Sequence, residues 1–381
     1  MHLLVEDTAR NNLASWTERV VGAETAKGAV LSPFTTPRLN TGYKQSAQQT
    51  ADRLRDCDAE VWFDPATHAL QMPNVGDFRY YQDWDLWARG ATNVLETEGD
   101  QRDHIRRVFA IQDELDAPHL APTILLHSPQ STTSQRALEM AEIAAEEDPD
   151  CFISVAGDVA FWAGGSALDA HIGGLAQLAP AGWFLVVTRN LAVLPVPAAQ
   201  DEVHGLCRTV RSLSEDGPVH VSHGDLAALP ALVAGAATLG TGWDPRQRVC
   251  AYHSYAQRGT GGDGGQWFVQ TTLRGLVSLL ARADTELLNN GEAALAARLL
   301  PGTVPPGAPE VWEHHAQVLH DIASGLAPGG EASYQSLRDA YGAAQTDWNR
   351  VVAVIGGASR ASAWLREVAA GLDLFAASEG W

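Results

Sequence analysis

Short runs of apolar residues that stop at polar or small residues recur along the chain. Ala29-Val30-Leu31 leads to Ser32-Pro33-Phe34, Glu60 to Phe63 ends at Asp64, and Thr123 to Leu126 ends at His127-Ser128-Pro129. Further on, Cys151 to Val155 ends at Gly157-Asp158, and Trp183 to Val187 at Thr188-Arg189-Asn190. Val219 to Val221 ends at Ser222-His223-Gly224-Asp225, and Thr238-Leu239 at Gly240-Thr241-Gly242-Trp243-Asp244. Runs that are apolar throughout, rather than alternating, predict strands of a parallel sheet covered on both faces. Between them lie stretches with helical periodicity at 43–55, 134–147, 168–178, 201–213 and 226–235. Threonines and Ser134 supply N-cap candidates for the second of these. The spacing between runs is often about 30 residues, the length of one β-α unit.

Seven such units predict an α/β fold, a (β/α)8 TIM-barrel-like parallel barrel. A doubly wound open α/β sheet is the alternative, but no G-x-G-x-x-G follows the first run, which removes the main argument for a dinucleotide fold. For the eighth strand, Gln266 to Gln270 is preferred over Arg248 to Tyr252, because a helical pattern at 273–288 follows it. On that reading Thr238 runs into one long loop after the seventh strand. The barrel then spans 1–300, with an aromatic-rich insertion at 69–99 that could form a lid or an oligomer contact. Pro301 to Pro309 breaks the chain as a linker would. The patterns at 310–324, 333–353 and 359–374 predict a helical C-terminal extension over 301–381.

Charge and composition narrow the partners. With 46 acids against 26 bases the net charge is -20, and a surface of that sign repels phosphate backbones, so nucleic-acid binding is disfavoured. No apolar run approaches the roughly 18–20 residues needed to span a bilayer. MHLLVEDTARNN turns acidic and polar at once and does not read as a signal peptide. Cys57, Cys151, Cys207 and Cys250 lie far apart, with neither a C-x-x-C pair nor a disulfide framework. A cytoplasmic protein with a small-molecule substrate is the simplest expectation.

In a parallel barrel the carboxyl ends of all strands open on one face, where active sites sit. That mouth would collect Asp64, His68, His127, Asp158, Arg189, His223, Asp225, Asp244, Arg246, Arg248 and His253. Asp64, Asp158 and Asp244 are the catalytic candidates, with His223. Two or three carboxylates around one pocket push their proton affinities apart, so that one can donate while another stays ionised. Arg189, Arg246 and Arg248 would hold an anionic or carbonyl-bearing substrate, together with His127, His253 and Trp243. Gly240 and Gly242 could offer backbone N–H groups to a phosphate. Asp225 reads as the cap of the next helix, and His220 as a core histidine. Convergence of Asp64, His68, His127 and His223 leaves a catalytic metal open, although metal-ligand spacings are absent and no cofactor is implied.

The stretch HGDLAALPALVAGAATLGTGWDPRQR resembles the late part of tRNA-guanine transglycosylase barrels. There a glycine-bearing strand and a P-x-D-L helix lead to an aromatic-Asp pair whose aspartate attacks the ribosyl carbon, with an arginine following. Trp243-Asp244 and the downstream Arg248 correspond. The arginine spacing differs, and the family's C-x-C-x-x-C zinc site has no counterpart. The resemblance covers about 30 of 381 residues; it implies Asp244 as nucleophile and Asp64 or Asp158 as base. The expectation is therefore an enzyme of glycosyl-bond hydrolase or transglycosylase type, acting on a small sugar- or nucleoside-containing substrate by carboxylate acid/base or covalent chemistry. A lyase or isomerase of a phosphorylated metabolite, and a non-catalytic binding or assembly protein, are the alternatives.

Overall fold

The structure is a computed structural model that describes residues 3–7, 14–41, 44–71, 81–86, 95–243, 245–251, 270–302, 305, 307–326, 329–357 and 359–381. Nine parallel strands are followed by a small antiparallel hairpin. They are β1 (Leu3–Glu6), β2 (Gly28–Leu31), β3 (Glu60–Phe63), β4 (Leu120–Ala121), β5 (Leu125–Leu126), β6 (Phe152–Gly157), β7 (Gly182–Val187), β8 (Val219–Ser222) and β9 (Thr238–Gly242). In space they run β3-β2-β1-β9-β8-β7-β6-β4, with β5 also on β6. The first and last strands pair in parallel, Leu4 opposite Gly240 and Glu6 opposite Gly242. Two short pieces, β4 and β5, together supply the fourth stave. The sheet therefore closes on itself as the expected (β/α)8 barrel, with helices outside it.

The closure has one seam, between β3 and β4, where no backbone ladder forms among the described residues. A side chain bridges it. Gln112, fully buried on helix Glu98–Glu114, donates Nε2 to Phe63 O (2.9 Å) and Leu120 O (3.0 Å), and its Oε1 accepts from Leu120 N (3.1 Å). Backbone groups that a neighbouring strand would satisfy are thus satisfied by one amide.

The barrel begins one strand earlier than the sequence reading has it. Leu3–Glu6 is too short and too close to the chain end to stand out, and it finishes in acids that look like surface. The chain from Trp243 onward consequently follows the eighth stave, not the seventh. Gln270 belongs to β10 (Gln270–Leu273), which pairs antiparallel with β11 (Ser278–Ala281) outside the barrel, and the expected helix at 273–288 starts only at Arg282. A pair of neighbouring strands and a helix of the same apolar content cannot be told apart by periodicity over so few residues.

Period-two alternation sorts the strands. Leu4, Val30, Trp62, Leu120, Leu125, Phe184 and Val186 form a cluster inside the barrel, while Leu3, Val5, Ala29, Leu31, Val61 and Phe63 face the helices. Trp62 fills the interior, edge-on to Phe152 and tilted on His220, whose Nδ1 meets Thr238 Oγ1 at 2.8 Å. The C-terminal helices Ala308–Ser324, Glu331–Val354 and Ser359–Glu379 share one core with the barrel's outer face. Trp243 stacks on Trp312 and meets Trp16 edge-on. The last helix packs on helix Gln200–Leu213, and a Cβ placed on Gly371 would lie 2.6 Å from both Gln200 O and Val203 Cβ.

Candidate active site

Above the inward layer Leu4, Val30 and Trp62, the same alternation turns Glu6 and Asp64 inward at the carboxyl ends of β1 and β3. Both are buried. Burial, together with the charge of Asp64, raises Glu6 well above the usual carboxylate range, while Ser222 Oγ donates to its Oε1 at 2.9 Å. Burial raises Asp64 to about 6, against a hydrogen bond from Ala66 N at 2.7 Å. The two acids therefore differ in proton affinity: when Asp64 is ionised, Glu6 still holds its proton.

Two histidines share this space. His223 donates Nδ1–H to Gln247 O (2.7 Å), which fixes its tautomer, and turns Nε2 toward Glu6 Oε1 at 3.6 Å. Burial lowers it to about 4. His68 is lowered to about 3 by burial and by His223, and its Nε2 lies 3.6 Å from Cys250 Sγ. Both rings are neutral in the physiological range. A protonated carboxyl beside a neutral imidazole, with an ionised carboxylate near it, is the equipment of general acid–base chemistry.

The turn that carries His223 is held from both sides. His223 and Asp225 adopt left-handed backbone (φ 53° and 45°), strained for residues other than glycine. The short helix Pro245–Arg248 grips them both, since Gln247 takes the His223 proton donor and Arg248 forms a side-on pair with Asp225 (Nε to Oδ2 2.6 Å, Nη2 to Oδ1 3.0 Å). Gln247 also accepts from Trp243 N and donates to Asp7 O. His315, from the C-terminal helices, reaches Asp225 Oδ2 at 3.1 Å. Burial opposes the Asp225 charge, yet Arg248 and His315 hold it well below the usual range. Gly240 makes room for this turn: a Cβ there would lie 2.5 Å from His223 N.

A second buried polar group adjoins the first. Asp7, at the end of β1, accepts on Oδ2 from Thr36 Oγ1 (2.6 Å) and from Lys44 Nζ, which also donates to Thr35 O at 2.9 Å. Burial lowers the Lys44 pKa, against the pull of Asp7. Among the described residues Asp7 Oδ1 is buried without a hydrogen-bond partner.

Of the residues singled out in the sequence, Asp64 and His223 each face Glu6, and His68 feels the charge of His223. Asp158 serves otherwise: Oδ1 caps helix Val159–Trp162 through Ala160 N and Phe161 N, and Oδ2 pairs with the exposed His127 at 2.6 Å. Arg189 pairs with Glu202 at the start of helix Gln200–Leu213. Arg248 is committed to Asp225, so Asp225 anchors an ion pair rather than acting as an ordinary cap. Trp243 is buried against other tryptophans outside the barrel. Gly240 and Gly242 lie in β9, where they pair with β1 and pack closely instead of opening as a phosphate cradle. Asp244, His253 and the side chain of Arg246 lie outside the described residues, as do 72–80 and 87–94 of the insertion. Among the described residues no three His, Cys, Asp or Glu side chains converge as a metal site, and no helix is long and apolar enough to cross a membrane. The sequence reading missed Glu6, Asp7, Lys44 and Gln247. Glu6-Asp7 follows an apolar run just as Asp64 does, and that signal was available.

No protein-family model and no curated protein matches the chain. Solved structures do. A spore coat polysaccharide biosynthesis protein from Bacillus subtilis aligns with 67% of this chain and 66% of its own length, at 8% identity and a TM-score of 0.35. A psychrophilic glycoside hydrolase family 10 endo-β-1,4-xylanase aligns over 68% and 94%, at 9% identity and 0.36. A 3-hexulose-6-phosphate synthase aligns over 68% and 100%, at 13% identity and 0.33. The part aligned with the Bacillus protein is slightly under two thirds of that protein. At these scores the barrel rests on the strand order alone.

Proposed function

We propose that the chain is an enzyme that carries out acid–base chemistry at the mouth of its barrel, on a small hydroxylated substrate of the sugar or nucleoside class. One observation carries this reading: two inward carboxylates, Glu6 and Asp64, with separated proton affinities beside the neutral His223. Glu6 is the acid, Asp64 the base or ion-stabilising carboxylate, and His223 the neutral imidazole that Glu6 faces. Glycosyl-bond hydrolysis or transfer uses this division of labour between two carboxyl groups. Such proton transfer contributes about 10²–10⁴-fold to rate. The test is turnover of a panel of aryl glycosides and nucleosides by wild type, Glu6→Gln and Asp64→Asn. Turnover by wild type that falls at least a hundredfold in both variants is expected. Turnover unchanged in either variant, or none on any member of the panel, contradicts the reading.

A further inference from the structure

We propose that the cleft beside His223 is a carboxylate-binding subsite, with Arg189 as the group that grips the carboxylate. This deepens the reading above and takes from it that His223 belongs to the reacting centre. Arg189 follows β7 directly, and its side chain is 7% exposed. Nη2 donates to Glu202 Oε1, but among the described residues Nε and Nη1 are buried with no hydrogen-bond partner. A buried guanidinium donor left in that state costs free energy, so such donors are normally satisfied by protein, water or ligand.

The electrostatics favour an anion there despite the neighbouring Glu202. Both Glu202 oxygens are occupied, Oε1 by Arg189 and Oε2 by Ala199 N at 3.1 Å. Glu202 also stands in the first turn of helix Gln200–Leu213, whose N-terminal N–H groups add positive potential. Arginine, carboxylate and helix end together leave the spot positive. The rest of the wall is mostly apolar, with Val187, Val203, Leu206 and Val249 among its residues, and His223 lines it too.

The enclosed part of the cleft holds about 20 Å³, room for one or two water-sized atoms at roughly 10–15 Å³ each, and of the common organic anions a carboxylate is the most compact. The carboxylate would accept from Nη1, with the hydroxylated body of the substrate reaching toward His223, which lines the same cleft. The substrate class is then a small hydroxy acid or sugar acid.

The experiment compares matched probes by thermal shift and calorimetry: glycolate, glycerate and gluconate, their neutral counterparts ethylene glycol, glycerol and sorbitol, and inorganic phosphate. The proteins are wild type, Asp64→Asn, and the double variant Arg189→Gln/Glu202→Gln, which removes the pair without stranding a buried charge. At least one carboxylate should bind wild type and Asp64→Asn alike, and bind the double variant about ten- to hundredfold more weakly. The alcohols and phosphate should bind none of them. If the double variant does not fold, Arg189→Lys, which keeps the charge and loses Nε and Nη1, should show the same weakening. Failure of all three carboxylates to bind wild type overturns the proposal. So does equal binding by the alcohols or phosphate, or full affinity in the folded arginine variant. Retained carboxylate binding without any turnover would sink the catalytic reading and leave the subsite standing.

Discussion

Asp64 and Glu6 sit one strand apart, but they have different prospects of holding a charge. Asp64, raised to about 6, must ionise to act as base, so kcat/KM should rise with pH through about 6. It should fall again only where Glu6, held well above its usual range, loses its proton. Steady-state kinetics across pH check this: Asp64→Asn should remove the acid limb and Glu6→Gln the alkaline one, while a flat profile through pH 6 would contradict the assignment. Asp64 was legible in the sequence because it ends a clear apolar run. Glu6 ends an equally apolar run, but one of only four residues, too short to stand out by its own pattern. Arg248 was legible as important and misleading as to role, since only tertiary packing reveals that Asp225 and His315 hold it away from the mouth.

At the scale of elements, the seam between β3 and β4 and the turn after β8 are two places where a side chain replaces regular structure. Gln112→Leu leaves Phe63 O and the Leu120 backbone unsatisfied in the core, and should cost about 2–4 kcal/mol in urea unfolding. A loss under about 0.5 kcal/mol would mean the seam closes without that amide. Asp225→Asn leaves Arg248 buried and unpaired, which should cost about 3–5 kcal/mol. In protein that remains folded it should also loosen His223 and shift the kinetic pH profile, because the short helix that holds Arg248 holds Gln247 too. A stability loss with an unshifted profile would make that clamp merely structural. The strands β2, β3 and β5 to β9 and all three C-terminal helices could be read from apolar periodicity, since each is long enough or bounded by polar residues, whereas the two residues of β4 could not. The seam could not, because a buried glutamine in an amphipathic helix looks like any polar position until its partners are placed.

For the molecule as a whole, acid stability follows from the buried imidazoles. Burial lowers His68 and His104 to about 3, and His220, His223 and His315 to about 4, so the folded state keeps all five neutral. The unfolded chain takes up protons on them below about 6.5, so stability is lost as pH falls from there toward 4. Asp64 and Glu6 act in the opposite sense, with stability present at low pH and lost as pH rises through their raised values. Five groups outweigh two, and the Tm should fall steadily from pH 6.5 to pH 4; a Tm that is level or rises over that range would contradict the burial of these rings. Two of the five, His220 and His315, lie on either side of the barrel wall, so the loss belongs to barrel and C-terminal helices together. The helical extension was foreseen from the sequence, but its reach into the turn after β8 through His315 was not, because 90 residues separate that histidine from Asp225.

The catalytic reading depends on Glu6 holding a proton while Asp64 has given one up. Carboxyl carbon-13 shifts, assigned with Glu6→Gln and Asp64→Asn and followed across pH, measure this directly. The account predicts Asp64 titrating near 6 and Glu6 still holding its proton where Asp64 has lost its own. Both carboxyls titrating near about 4, as exposed ones do, would contradict it.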